Sequence, residues 1–217
     1  MRSPVRTLAS APAVGGLLLC GLPYPSVTRV PLVERADLPP EKYPLLDTLD
    51  DESPPDARDH DLSGGTLNVY RSLANDLGLL EAFRRYGTAV WEGIDLTPQE
   101  REIVILATAA AAGSAYEWHQ HVRVALDAGV TPAQIRAVSG DRDALPPERA
   151  ALVAYTERFV EGSVDDATAD RLRRVFDDAT LVGVGQLAGL YLGLARQLDA
   201  LDVDTEGPFV GWELERL

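Results

Sequence analysis

Cysteine is nearly missing from this sequence. The one present, Cys20, lies far from any other feature of note in 217 residues, so no internal disulfide can form and cysteine pairing carries no information about compartment. Lysine is equally scarce: of 20 basic residues only Lys42 is a lysine. That bias, with abundant aspartate, fits either a salt-tolerant surface or a GC-rich coding sequence. Positive charge is outweighed throughout, and the net charge of −14 argues against nucleic acid or an anionic membrane surface as a partner. Apolar and polar residues never alternate for more than a few positions, which removes the signal of a half-buried strand. There is no glycine-rich phosphate loop, no nucleophile elbow and no internal repeat.

What remains is a helical sequence. Hydrophobic residues make up 46 % of the chain with few aromatics, and Ala, Leu and Val dominate them, a mixture suited to close-packed helices. The length supports one good core, so a single domain with extensions is expected. Residues 1–26 hold Arg2 and Arg6 ahead of a mild apolar stretch broken by Gly15-Gly16. The outline resembles a weak secretory signal or a lipoprotein leader, but Leu19 stands where a lipoprotein site needs a small residue. An unstructured or artefactual extension, with the protein proper opening near Val27, fits better. Residues 27–64 are rich in proline and aspartate and should form an extended arm, with at most a short helix around Glu41 to Leu46. His60 falls in its Asp-rich end and reads as a solvated loop residue.

Helical periodicity then takes over. A first helix is expected from Thr66 to Leu77, ended by Gly78, and a second through Leu80, Phe83, Tyr86, Val90 and Trp91, whose aromatics read as core. Later helices are expected at Thr131 to Val138, from Leu145-Pro-Pro to Gly162, after Ser163-Val-Asp-Asp166, and from Leu181 to Leu201. The last is apolar on most faces and carries small residues (Gly183, Gly185, Ala188, Gly189, Gly193) suited to close helix contact. Gln186, Arg196 and Gln197 favour a buried helix over a membrane span. Residues 65–205 should form the helical domain, and 206–217 a C-terminal tail.

The stretch from Leu96 to Thr131 organises the rest. Thr97, Pro98 and Glu100 form a capping box and helix start. From Ile103 to Ala112 every residue but Thr108 is apolar, marking a buried central helix. Gly113 ends it, and Ser114-Ala-Tyr-Glu117 resembles a second capping box opening a helix that Gly129 closes. Glu102 precedes the apolar run. Glu117 and His121 are four apart and share a helical face. A carboxylate beside an imidazole is an acid/base arrangement, because each tunes the other's proton affinity. His119, two residues from His121, must point elsewhere, so the pair is not a helical zinc site. Each residue taken singly also admits a structural role: Glu117 as a cap, His121 as a buried hydrogen-bonded histidine, Glu102 as a charge favoured by the helix dipole.

This stretch resembles the carboxymuconolactone decarboxylase family, which shares its fold with the AhpD-like alkylhydroperoxidases. The similarity rests on Glu102, the Ala-rich run, Tyr116-Glu117-Trp118, His121 and the Ala125-to-Thr131 ending, and extends over roughly residues 65–200. In the redox branch a Glu is followed twelve residues later by CxxC, and a His stands four residues after the second Cys. Glu102 and His121 match; Ser114 and Glu117 stand at the cysteine positions. The resemblance implies an all-α bundle of six to eight helices, assembled as a trimer or hexamer, and a cytoplasmic, cofactor-free and metal-free lyase acting on a small carboxylated lactone. Within it His121 would donate the proton, Glu117 would orient it and raise its pKa, and Glu102 would stand behind. Arg101 and Arg123 are the candidates in sequence for balancing a carboxylate substrate. The alternative is a non-catalytic oligomer of the same fold that binds a small apolar ligand.

Neither serine nor glutamate can form a thiolate or a disulfide. Hydroperoxide should therefore not be turned over with any dithiol reductant, and reductant-dependent peroxide loss that survives Cys20→Ser would contradict this.

Overall fold

The computed structural model describes residues 28–47 and 66–217, which fold as eight α-helices with three short 3₁₀ turns and no strand among the described residues. Cys20 and His60 lie outside the described residues, as does the extension 1–26. The helices are α1 (Asn68–Leu73), α2 (Leu77–Gly93), α3 (Pro98–Ala112), α4 (Ala115–Asp127), α5 (Pro132–Ser139), α6 (Pro147–Glu161), α7 (Asp166–Arg173) and α8 (Asp178–Leu201).

Helix α3 is the axis of the bundle, with α4, α5, α6 and α8 packed around it. Its apolar run leaves no polar face to turn outward, and Ile103, Val104, Ile105 and Leu106 have no exposed surface. Thr108, the exception in the run, satisfies its hydroxyl by donating to the Val104 carbonyl at 2.9 Å. The ends of the helices follow the local chemistry. Thr97 and Thr131 form complete capping boxes with Glu100 and Gln134. Asp165 and Asp177 accept from Thr168 N and Thr180 N, each at 2.8 Å, so α8 begins three residues before Leu181.

One further boundary and one cap differ from the sequence reading. The expected helix from Thr66 to Leu77 is cut to Asn68–Leu73, because the Asp76 carboxylate accepts from Leu79 N at 3.0 Å and starts a new helix there. Gly78 thus lies inside α2 rather than ending α1. At α4 only half of the expected box forms: Ser114 accepts from Glu117 N at 3.4 Å, while the Glu117 side chain turns away from the cap toward His121.

The turn between α3 and α4 is two residues long. Gly113 sits at φ 71°, a left-handed conformation that costs a residue with a Cβ about 1 kcal/mol or more. Its geometry lets Ser114 N reach back to the Ala109 carbonyl at 2.9 Å, so the chain reverses at once. Glu102 then lies about 16 Å from the turn along α3 and His121 about 12 Å along α4, near enough in level for their side chains to meet. Gly183 permits a second close approach: a Cβ there would stand 3.0 Å from the Ile94 side chain, so α8 rests against the end of α2.

Helix α8 is the one helix among the described residues long and apolar enough to cross a membrane, with a third of its most apolar window buried. Its buried side, including Val184, Leu187, Ala188 and Leu198, faces a bundle partner, and it packs on α2, α3, α4, α6 and α7. The arm forms a 3₁₀ turn at Pro40–Leu46 and lies over α1 and α2, with Leu38 and Leu46 buried against Ala74 and Leu80.

The stretch 206–217, read above as a tail, belongs to the body. Val210 is fully buried and Leu214 nearly so. The Trp118 indole donates to the Gly211 carbonyl at 3.1 Å and its ring packs on Trp212. His119 accepts from Val210 N at 3.1 Å through Nδ1, and burial holds its pKa below the usual histidine value. It is a structural histidine, directed away from His121 as its spacing required. Ending the chain at Thr205 should lower unfolding free energy by on the order of 3 kcal/mol or more, from the loss of Val210, Leu214 and the Trp212 contact; a urea midpoint unchanged by the truncation would show that the segment is only an appendage.

Candidate functional site

Three helices each turn one stripe toward the same space. On α2 the stripe is Arg84, Gly87, Thr88 and Trp91; on α4 it is Glu117, Gln120 and His121; on α8 it is Leu187, Leu190, Tyr191 and Leu194. The stripes on α2 and α8 follow the i, i+3, i+4, i+7 register of a single helical face, and that on α4 its i, i+3, i+4 part. Tyr70 of α1 closes the top. They enclose a cavity of about 80 Å³, mostly apolar, with its polar groups concentrated on α4.

His121 is the centre of that wall. Its Nδ1 lies 2.8 Å from Glu102 Oε2, and its Nε2 lies 3.7 Å from Glu117 Oε2. Glu102 has no exposed surface, Glu117 is 3 % exposed and His121 8 %, so all three are shielded from water. The sequence reading made Glu117 the orienting partner and Glu102 a group behind it. The distances exchange these roles. Glu102 holds the imidazole with a hydrogen bond, and Glu117 stands off the other ring nitrogen, on the cavity side.

The aromatic surroundings fix the ring further. Tyr191 meets His121 edge-on with centroids 4.8 Å apart, and Trp91 lies 6.2 Å away. Arg101 is placed behind the triad: its guanidinium covers the Trp91 ring at 4.0 Å, donates to the Trp91 carbonyl at 3.2 Å, and brings Nε to 3.9 Å from Glu102 Oε1. It balances Glu102 rather than facing the cavity. Arg123 is buried at 4 % exposure and does not line the cavity either. The cation that does line it is Arg84.

Burial sets the proton affinities. The Glu117 carboxyl is pushed up to about 7, because desolvation outweighs the attraction of His121. Burial also raises the Tyr191 and Tyr70 phenols, which keeps both as neutral donors. An imidazole held by one carboxylate and faced by a second that titrates near neutrality can take a proton from one side and give it at the other. No group of three or more His, Cys, Asp or Glu side chains among the described residues is arranged to hold a metal ion.

Sequence reasoning found Glu102, Glu117 and His121, and the structure brings them together. It missed Tyr191, Tyr70, Trp91 and Arg84, of which it assigns Trp91 to the core. A signal was present in α2: an arginine, a glycine and a threonine on the same face as Trp91 are out of place in a packed interior and mark a cavity wall.

Residues 78–157, from α2 through most of α6, match the carboxymuconolactone decarboxylase family. Among curated proteins none matches the sequence. The fold is similar to an alkylhydroperoxidase AhpD core, an uncharacterised peroxidase-related protein from Ralstonia eutropha JMP134, at 21 % identity and a TM-score of 0.69, covering 88 % of this chain and 98 % of that one. The debrominase Bmp8 without ligand is similar at 16 % identity and a TM-score of 0.69, covering 84 % and 96 %. The C82A form of Bmp8 in complex with 2,3,4-tribromopyrrole is similar at 16 % identity and 0.61, covering 65 % and 78 %.

The raised Glu117 pKa has a consequence for stability. Unfolding returns the carboxyl from about 7 to its ordinary 4.5, so between these values the folded chain binds more protons and loses stability as pH rises. Above pH 7 the full penalty, about 3 kcal/mol, is in force. Glu117→Gln removes the titration and keeps the Ser114 cap, which uses only the backbone N–H. Its stability should match wild type near pH 4.5 and exceed it increasingly toward pH 8 in urea unfolding; a constant difference across that range would count against the assignment.

Proposed function

We propose, from the match of residues 78–157 to the carboxymuconolactone decarboxylase family and from the AhpD-like fold, that the chain is a cofactor-free lyase, with His121, Glu102 and Glu117 as its acid/base centre. The observation that carries the proposal is one imidazole with a buried carboxylate at each nitrogen, set in the wall of a small apolar cavity.

The reaction is the loss of CO₂ from a small carboxylated unsaturated lactone. The bond between the ring carbon and its carboxylate breaks, CO₂ departs, and the electron pair passes through the conjugated system onto the lactone carbonyl oxygen as an enolate. No electron acceptor is needed, because the substrate holds its own. An apolar cavity favours this step, since it strips water from a carboxylate whose charge is dispersed as the bond breaks. The His121 imidazolium then gives its Nε2 proton to the enolate carbon. Glu102, bonded at Nδ1, fixes the tautomer and keeps Nε2 as the exchanging atom. Glu117 returns a proton from solvent to Nε2, a task suited to a carboxyl titrating near 7. That same neutrality reduces the repulsion that two ionised glutamates would direct at an anionic substrate.

A binding role without chemistry is the second reading. What supports it is the fold's capacity to hold a small ring: the C82A form of the debrominase Bmp8, a fold relative that is itself an enzyme, is seen in complex with 2,3,4-tribromopyrrole. The experiment that separates the two is turnover of a panel of carboxylated lactones by wild type, His121→Asn and Glu102→Gln. His121→Asn should lose on the order of 10²-fold or more in rate while remaining folded, and Glu102→Gln roughly tenfold or more through loss of ring orientation. A wild type inert on every member would leave the binding role.

A further inference from the structure

The triad explains proton transfer but leaves the substrate's own charge without a partner, since Glu102 and Glu117 are both acids. Among the described residues Arg84 is the one arginine or lysine lining the cavity. Among the described residues no carboxylate lies within ion-pair reach of it, in contrast to Lys42, Arg71 and Arg101. Its guanidinium is nevertheless fixed. It covers the Tyr70 ring at 4.5 Å and donates through Nη1 to the Asp47 carbonyl at 2.9 Å. Asp47 belongs to the arm and is itself tied down by an ion pair with Arg35. A guanidinium has five N–H donors in a planar fork, and the Asp47 bond uses one. A half-buried cation, oriented by a ring face and a backbone carbonyl, bordering an apolar cavity with no carboxylate among the described residues paired to it, is arranged to receive one.

We propose that Arg84 is the carboxylate-binding residue of this cavity, so that the ligand is a small ring bearing a carboxylate that stays on the ring (in the lyase reading, one distinct from the group lost as CO₂), held with that group at Arg84 and its ring toward His121. The proposal deepens the lyase reading and rests on it only in taking this cavity as the ligand site. It also gives the arm a function. Residues 28–47 complete the binding site by supplying the Asp47 carbonyl that orients the guanidinium. Arg84 is a binding residue that determines specificity, and takes no part in proton transfer.

The test is binding, not turnover, so it stands apart from the lyase reading. 2-Furoate and its neutral isostere 2-furamide would be titrated against the full chain by NMR chemical-shift perturbation. Wild type should bind the anion at least roughly tenfold more tightly than the amide, the value expected of a charge-assisted hydrogen-bonded pair. Arg84→Gln should bring the furoate affinity down to that of the amide and leave the amide affinity unchanged, while Arg84→Lys keeps part of the preference. Arg84→Met, which keeps a long unbranched side chain at this position, replaces the glutamine variant if that chain melts early. Equal affinity for the two probes in wild type, failure of wild type to bind either, or an anion preference that persists without Arg84 would each overturn the proposal. Anion preference dependent on Arg84 in a protein inert toward every lactone would refute the lyase and leave this assignment standing.

Discussion

Keeping two carboxylates out of water on either side of one imidazole is the constraint on which the site depends. Moving an ionised carboxylate into a protein interior is costly unless partners replace its hydration. The two glutamates are compensated unequally. Glu102 has the His121 hydrogen bond and the nearby Arg101; Glu117 has only the longer approach to Nε2. The less compensated group is the one whose proton affinity rises. The asymmetry divides the pair: a fixed acceptor at the back, and at the front a carboxyl that titrates near neutrality. The aromatic shell of Trp91, Tyr70 and Tyr191 maintains the imbalance by excluding solvent without offering Glu117 a cation.

The parts of this arrangement that were legible in the sequence are the local ones. Capping at Thr97 and Thr131, the apolar run of α3 and the Gly113 break each depend on residues within a few positions, and the pairing of Glu117 with His121 follows from helix geometry alone. The family resemblance put Glu102 and His121 in one site but stood Glu102 behind Glu117, because whether a side chain reaches an atom at 2.8 Å or 3.7 Å depends on how α3 crosses α4. Arg84 was illegible for the same reason. It shares a cavity with His121 only once α2 and α4 are brought together, and its orientation is set by a carbonyl 37 residues away. The segment after Thr205 lacks periodicity, so nothing in its pattern announced that Val210 and Trp212 complete the core.

The two positions where the redox branch carries cysteine diverge in use. Ser114 is fully buried at the start of α4 and its hydroxyl is taken up by the Glu117 amide. Glu117 instead projects into the cavity. One position has become purely architectural and the other supplies a titratable group, on an unchanged helical frame. A scaffold that presents the second residue of that pair beside His121 offers whatever chemistry that residue possesses, whether sulfur or carboxyl.

The partnership of α4 with the far end of the chain bears on biosynthesis. The Trp118 indole, three residues before His121, waits for a carbonyl that is made 93 residues later, and the Tyr116 hydroxyl waits for Glu206, which also accepts from Asn68 N and Gln120. During vectorial synthesis α3 and α4 can coil and pair early, since their contacts are local. The cavity wall formed by α4 stays incomplete until α8 and the segment beyond it have emerged. An apolar hairpin is thus exposed for much of translation, and the nascent chain at that stage is the form of this protein most in need of a holding chaperone.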